Sequence, residues 1–130
     1  MREVTVQWAG GKFTQDVNVG GHSIRADEET GNGGDDSGPA PHELLLGALG
    51  ACTAMTLKVY AERKGWPLRH ARVRLTGATG ATGFVITREL TLDGELNVEQ
   101  RQRLVEIADK CPVHKTLSGQ ISIETRAVAP

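Results

Sequence analysis

Two thiols, and the cations that could act on them, are the groups in this chain whose types and placement suggest chemistry. Cys52 lies in the middle of the apolar run PHELLLGALGACTAMTLKVYAERK, residues 41–64, and Cys111 opens the motif CPVHK. A cysteine on an apolar helical face is usually a small hydrophobe, so packing is the plain alternative for each. Two cysteines that meet would instead form a reversible dithiol and disulfide pair. Pro112 suits a first helical position, which places Cys111 at a helix start with Lys110, His114 and Lys115 close by, an environment that favours a thiolate. Cys52 has the opposite surroundings unless a cation such as Arg88 or Lys12 points at it. On these local grounds Cys111 is the more reactive thiol. A zinc site is not expected: Cys111 and His114 have a C-x2-H spacing, but Cys52 has no second ligand beside it, and structural zinc takes its ligands in close pairs.

The elements that must position these groups follow from periodicity. Pro41 at a helix start, Glu43 in the first turn and Gly65 after Lys64 predict one helix over residues 41–64. Leu44, Leu45, Leu46, Leu49, Ala51, Ala54, Met55, Leu57 and Val59 leave it almost no polar face before Lys58, so it should be buried on most sides. At about 100° per residue, Leu45, Leu49, Thr56 and Val59 share the face of Cys52. Before the helix, alternation predicts strands over 4–8, 12–19 and 22–26, with glycine pairs at 10–11 and 20–21 as turns and an apolar face of Val4, Val6, Trp8, Phe13, Val17, Val19 and Ile24. Residues 27–40, DEETGNGGDDSGPA, form an acidic, glycine-rich loop, too carboxylate-laden for a phosphate cradle and read as a flexible surface or active-site loop.

After the helix, strands are predicted over 68–76 and 84–92, a capped helix over 98–110 from Asn97 and Gln100, a short helix over 112–117, and a last strand over 120–128. The basic face of His70, Arg72 and Arg74 is read as solvated. Arg88 falls in register with Phe84, Ile86, Leu90 and Leu92, on the apolar side of its strand. A guanidinium there is costly unless it meets an anion, so Arg88 either partners a buried carboxylate or thiolate or reaches out at an edge. Strands joined by short turns, with helices between them, give an α+β fold of antiparallel sheets around a long central helix.

The totals fit one domain, residues 1–130. A formal net charge of −1 and a pI near 6.4 argue against nucleic-acid or membrane-surface binding, which calls for a basic excess. The chain starts on a strand pattern, MREVTVQW, and not on a signal peptide; the run from Leu44 to Leu57 is shorter than the roughly 20 residues of a membrane span. A cytoplasmic location is expected. Two cysteines without a CxxC spacing are too few for a secreted disulfide scaffold. An all-round apolar helix is hard to cover in a monomer of this size, so a homodimer with its central helices packed together is expected.

Three segments in this order, GPAPHELLLGALGACTAMTL, YAERKGW and CPVHKTL, resemble the OsmC/Ohr family of small thiol peroxidases and its OsmC-like branch. The resemblance runs over nearly the whole chain. It implies an intertwined homodimer with two active sites at the subunit interface, no metal, haem or flavin, an organic hydroperoxide as substrate, and a dithiol reductant such as a lipoylated protein. It also implies that Cys52 attacks the peroxide and Cys111 resolves the sulfenic acid, which reverses the local ranking of the two thiols. The family's glutamate ten residues before the first cysteine is His42 here, with Glu43 next to it. Its activating arginine after a glycine pair is replaced by Lys12. Glu43, Lys12 and Arg88 are therefore the candidates to complete the site. The alternative is a non-catalytic, redox-responsive or small-ligand-binding dimer that uses the same pocket.

Overall fold

A computed structural model describes all residues, Met1–Pro130, which divide into two compact units, Met1–Gly47 and Ala48–Pro130. The first unit is an antiparallel meander of β1 (Val4–Trp8), β2 (Gln15–Val19) and β3 (His22–Ala26). Val6 pairs with Val17 and Val17 with Ile24, which places the alternating apolar residues on one face. On that face Val6, Trp8 and Ile24 are 56%, 68% and 51% exposed. The third strand has the predicted bounds, whereas β2 starts later than residue 12 because the turn through Gly10 and Gly11, both at positive φ, runs on through Phe13.

The acidic loop after β3, read from its glycines as a flexible surface or active-site loop, carries hydrogen bonds of its own. Asp27 is buried, and its carboxylate accepts from the Ser37 hydroxyl at 2.6 Å, the Glu28 N–H at 2.7 Å, the Thr14 hydroxyl at 3.0 Å and the Ser37 N–H at 3.2 Å. A single 3-10 turn, Thr30–Asn32, and the bond from Asp36 N–H to the Glu28 carbonyl close the rest. The Ser37 hydroxyl, against the opposing effect of burial, and then the two N–H groups and Thr14 hold the Asp27 carboxyl far below the usual carboxylate range.

Helix α1 (Pro41–Lys64) has the predicted bounds. The Glu43 carboxylate accepts from the Ala40 N–H at 2.8 Å at its start, and Gly65, at φ 68°, ends it. The expectation that it is buried on most sides is corrected. Leu49, Thr53, Leu57 and Ala61, spaced by four, are its buried stripe, whereas Leu45, Met55 and Val59 remain exposed. By length and composition alone α1 could cross a membrane, but such a test is also passed by core helices, and this stripe lies in a core. Leu57 and Ala61 pack with Leu68, Leu104, Ile107 and Ala108.

In the second unit β4 (His70–Gly80) and β5 (Gly83–Asp93) form an antiparallel hairpin in which Val73 pairs with Leu90 and Leu75 with Arg88. Both strands are longer than predicted. Residues 77–80 continue β4 and the turn shrinks to Ala81 and Thr82. Helix α2 (Val98–Ala108) has the expected capping box, with Asn97 accepting from the Gln100 N–H and Gln100 from the Asn97 N–H. Helix α3 (Pro112–Ser118) follows with Cys111 as its N-cap. The strand expected over 120–128 is absent: this segment carries no strand pairing, and Ile121 and Ile123 are exposed. Alternation gives a segment two faces but not a neighbour, and a strand exists only when paired.

Two predictions come from these contacts. Gly94, at φ 146°, would drive a Cβ into the Pro67 carbonyl oxygen, so Gly94→Ala should lower stability by about 3 kcal/mol, read from the urea midpoint. The carboxyl of Asp27 has a depressed pKa in the folded chain, so the stability it contributes is complete above its unfolded pKa of about 3.9 and is lost as pH falls from there toward the folded value. Asp27→Asn should therefore lower the melting temperature at neutral pH and flatten its decline below about pH 4.

Candidate functional site

The second unit brings Cys52, Cys111 and Arg88 into one cluster, and Thr53 is the residue that joins them. Thr53 is fully buried on the α1 stripe, and its hydroxyl lies 2.7 Å from the Leu49 carbonyl, one turn back. It also lies 3.8 Å from the Cys111 sulfur and accepts a hydrogen bond from Arg88 Nη1 at 3.0 Å. The other end of the guanidinium, Nη2, donates to Asp109 Oδ1 at 2.9 Å and to His114 Nδ1 at 3.0 Å. The Arg88 side chain is only 11% exposed, while Asp109 is mostly in solvent. Arg88 thus points inward from β5, and the anion that it meets directly is a carboxylate. Because Nδ1 accepts from Arg88, the His114 ring proton sits on Nε2 in this arrangement.

The two thiols differ in access. Cys111 is fully buried, and its sulfur accepts from the His114 N–H at 3.3 Å. Burial acts to raise its pKa. That effect is outweighed by the His114 N–H, the Cys52 side chain, the Thr53 hydroxyl and the charge of Arg88, so the Cys111 thiol is shifted downward overall. Cys52 is half-buried and opens on a hollow of about 360 Å³ lined by Met55, Val59, Tyr60, Arg63 and Lys110. A mostly apolar wall with two cations at the rim suits an organic molecule. A larger hollow, about 630 Å³, is bordered by Phe84, Ile86, Arg88, Val105 and His114 and contains neither thiol.

The remaining sequence candidates fall in the first unit. One carboxylate oxygen of Glu43 is engaged as the α1 cap, and the Lys12 backbone N–H donates to the Asp35 carboxylate at 3.3 Å. Thr53 and Asp109 were missed. The signal for Thr53 was available as a polar residue inside an apolar run, next to Cys52; Asp109 precedes Cys111 by two residues on a face that reads as solvent-exposed. The face of Arg72 and Arg74 is indeed solvated, with Arg74 paired to Glu89 across the hairpin.

A family model described as OsmC-like protein matches residues 34–126. The chain belongs to the OsmC-like family. No curated protein sequence matches it. Among solved structures, it resembles an OsmC-like protein of Mycoplasma pneumoniae at a TM-score of 0.79 and 18% identity, over 92% of this chain and 88% of that one. The organic hydroperoxide resistance protein OsmC of Legionella pneumophila gives 0.65 at 20% identity, over 90% of both chains. The organic hydroperoxide resistance protein OhrB of Bacillus subtilis gives 0.64 at 20% identity, over 92% and 91%. At these identities the likeness is one of fold, and it places this OsmC-like chain in the predicted α+β class.

The difference in access has a direct chemical consequence. Alkylation of the reduced native protein should modify Cys52 at least roughly tenfold faster than Cys111, with Cys111 reacting freely only on unfolding, as read by peptide mass mapping. Equal labelling of both thiols in the native protein would contradict the burial of Cys111.

Proposed function

We propose that this protein is a thiol-dependent reductase of organic hydroperoxides, acting in defence against oxidative stress. The observation that carries this reading is the pair itself: an accessible Cys52 on an apolar hollow, and a buried Cys111 whose pKa is lowered by the His114 N–H, the Cys52 side chain, Thr53 and Arg88 against the effect of burial. Family membership and relatives named for organic hydroperoxide resistance support it. Cys52 attacks the terminal peroxide oxygen, the O–O bond breaks, and the alkoxide leaves as the alcohol with the proton from Cys52. The Cys111 thiolate then attacks the sulfenic sulfur of Cys52, expels hydroxide and forms the disulfide. A dithiol, such as a lipoyl group on a partner protein, returns two electrons and becomes a cyclic disulfide.

In this reading Cys52 and Cys111 are the catalytic residues. Arg88 acts on them through Thr53, and Lys110 and Arg63 supply positive charge at the hollow. The working form is a cytoplasmic homodimer. The exposed apolar face of β1 to β3 and the exposed Leu45, Met55 and Val59 of α1 favour a second copy as cover, since a monomer leaves them in water.

Reduced protein given cumene hydroperoxide and dihydrolipoamide should turn over, with hydrogen peroxide at least roughly tenfold slower because it gains nothing from apolar contact. Cys52→Ser should abolish turnover, and Cys111→Ser should accumulate a sulfenic acid that dimedone traps. One oxidation without turnover under the dithiol would favour a redox-responsive protein instead. No thiol oxidation by peroxide would overturn the peroxidase reading altogether.

A further inference from the structure

Why a buried guanidinium should spend a donor on a threonine hydroxyl is not explained by the peroxide step, because Arg88 does not touch Cys52. A hydroxyl has one proton and two lone pairs. Arg88 can only donate, so Thr53 accepts on that side and its proton has two destinations, the Leu49 carbonyl at 2.7 Å or the Cys111 sulfur at 3.8 Å. Rotation about one C–O bond moves it between them. With a neutral or disulfide-bonded sulfur, the hydroxyl back-bonds to Leu49, as threonine in helices often does. With an anionic sulfur, the proton turns to it, and the guanidinium behind the oxygen strengthens that donation.

We propose that Arg88, acting through the swivelling Thr53 hydroxyl, is a positioning residue that makes Cys111 the leaving sulfur when the disulfide is re-reduced, and so directs the incoming thiol to Cys52. The proposal rests on the thiol and disulfide cycle described above. In that step the reductant's thiolate forms a bond to the Cys52 sulfur, the bond between Cys52 and Cys111 breaks, and its electron pair goes to Cys111. The second reductant thiol then displaces Cys52, which takes up its proton. The reductant leaves as a cyclic disulfide.

Access and charge point the same way. Cys52 is reached from its hollow, whereas Cys111 is fully buried. A sulfur whose thiolate is stabilised also leaves faster. The groups facing Cys111 are Cys52 and Thr53 from α1, Arg88 from β5 and the His114 N–H from its own helix; Asp109, bonded to Arg88 at 2.9 Å, offsets part of the positive charge. Arg88 is held in place by Asp109 and His114 Nδ1, so its donation to Thr53 does not depend on the state of the sulfur.

The test uses Arg88→Gln and Thr53→Val, with Arg88→Lys as a variant that keeps the charge. In a Cys52→Ser background, the ultraviolet thiolate transition of Cys111 should rise by roughly one pH unit in Arg88→Gln and in Thr53→Val, and by less in Arg88→Lys. The double variant should rise no further than the larger single one, because the two residues act in series. In the full chain, the disulfide is formed with diamide, so that no peroxide activity is needed. Its reduction by dihydrolipoamide should slow several-fold in the same variants, and a tagged monothiol should be trapped on Cys52. An unchanged thiolate transition, an unchanged reduction rate, or a tag on Cys111 would each overturn the proposal. Failure of the peroxidase reading would show separately, as no oxidation by cumene hydroperoxide in a protein whose diamide-formed disulfide behaves as described.

Discussion

A single buried guanidinium ties the second unit together at the place where its chemistry is concentrated. Arg88 enters from the apolar side of β5, where an unpaired charge would be prohibitively costly, and its hydrogen bonds go to α1 through Thr53, to the end of α2 through Asp109 and to α3 through His114. Each partner lies on a different element, so the same bonds that satisfy the charge also set how β5, α1 and the two short helices meet. Cys111 lies within that arrangement. Burial acts to raise its pKa, and the His114 N–H at the start of α3, the Cys52 side chain, the Thr53 hydroxyl and the charge of Arg88 together outweigh that. Packing and reactivity are therefore not separable here: what positions the helices also sets the state of the sulfur.

The rest of the fold is built with less surplus. The core of the second unit is formed by Leu57, Ala61, Leu68, Leu104, Ile107 and Ala108, with Trp66 and Tyr60 in edge contact beside it. The first unit has no comparable apolar cluster. Its sheet is held by ladder bonds and by the polar knot around Asp27, while its apolar face lies open. A three-stranded sheet with one open apolar face is not a stable end point in water, which is the physical reason for assigning a second copy to cover it.

Where local chemistry decides, the sequence was legible. Pro41 and Gly65 bounded α1, Asn97 and Gln100 started α2, and Pro112 made Cys111 a cap. Where a distant partner decides, it was not. Strand β4 runs on to Gly80 because the facing strand offers Ile86, Val85 and Phe84 as partners, which no property of residues 77–80 announces. The segment 120–128 has the alternation of a strand and no neighbour to pair with. Arg88 was recognisable as a charge in the wrong register, but Thr53 and Asp109 as its partners required the fold, since they lie 35 and 21 residues away. The degree of burial on α1 was overestimated for a related reason: apolar composition does not say which of a helix's sides a neighbouring element covers, and Leu45, Met55 and Val59 are exposed.

The chain contains two buried acidic groups whose pKa values are lowered, and comparing them shows why only one suits chemistry. Asp27 takes four donors at 2.6 to 3.2 Å, two of them backbone N–H groups that cannot rotate away. Its charge is fixed for as long as the loop is folded, which suits a structural knot. Cys111 takes one backbone N–H at 3.3 Å and a hydroxyl at 3.8 Å that has a nearer acceptor available. Long contacts to a soft sulfur stabilise the anion without locking it. A group that must become a thiolate, form a disulfide and become a thiolate again needs donors that can let go, and a hydroxyl swivelling between a carbonyl and a sulfur meets that requirement where a backbone amide would not.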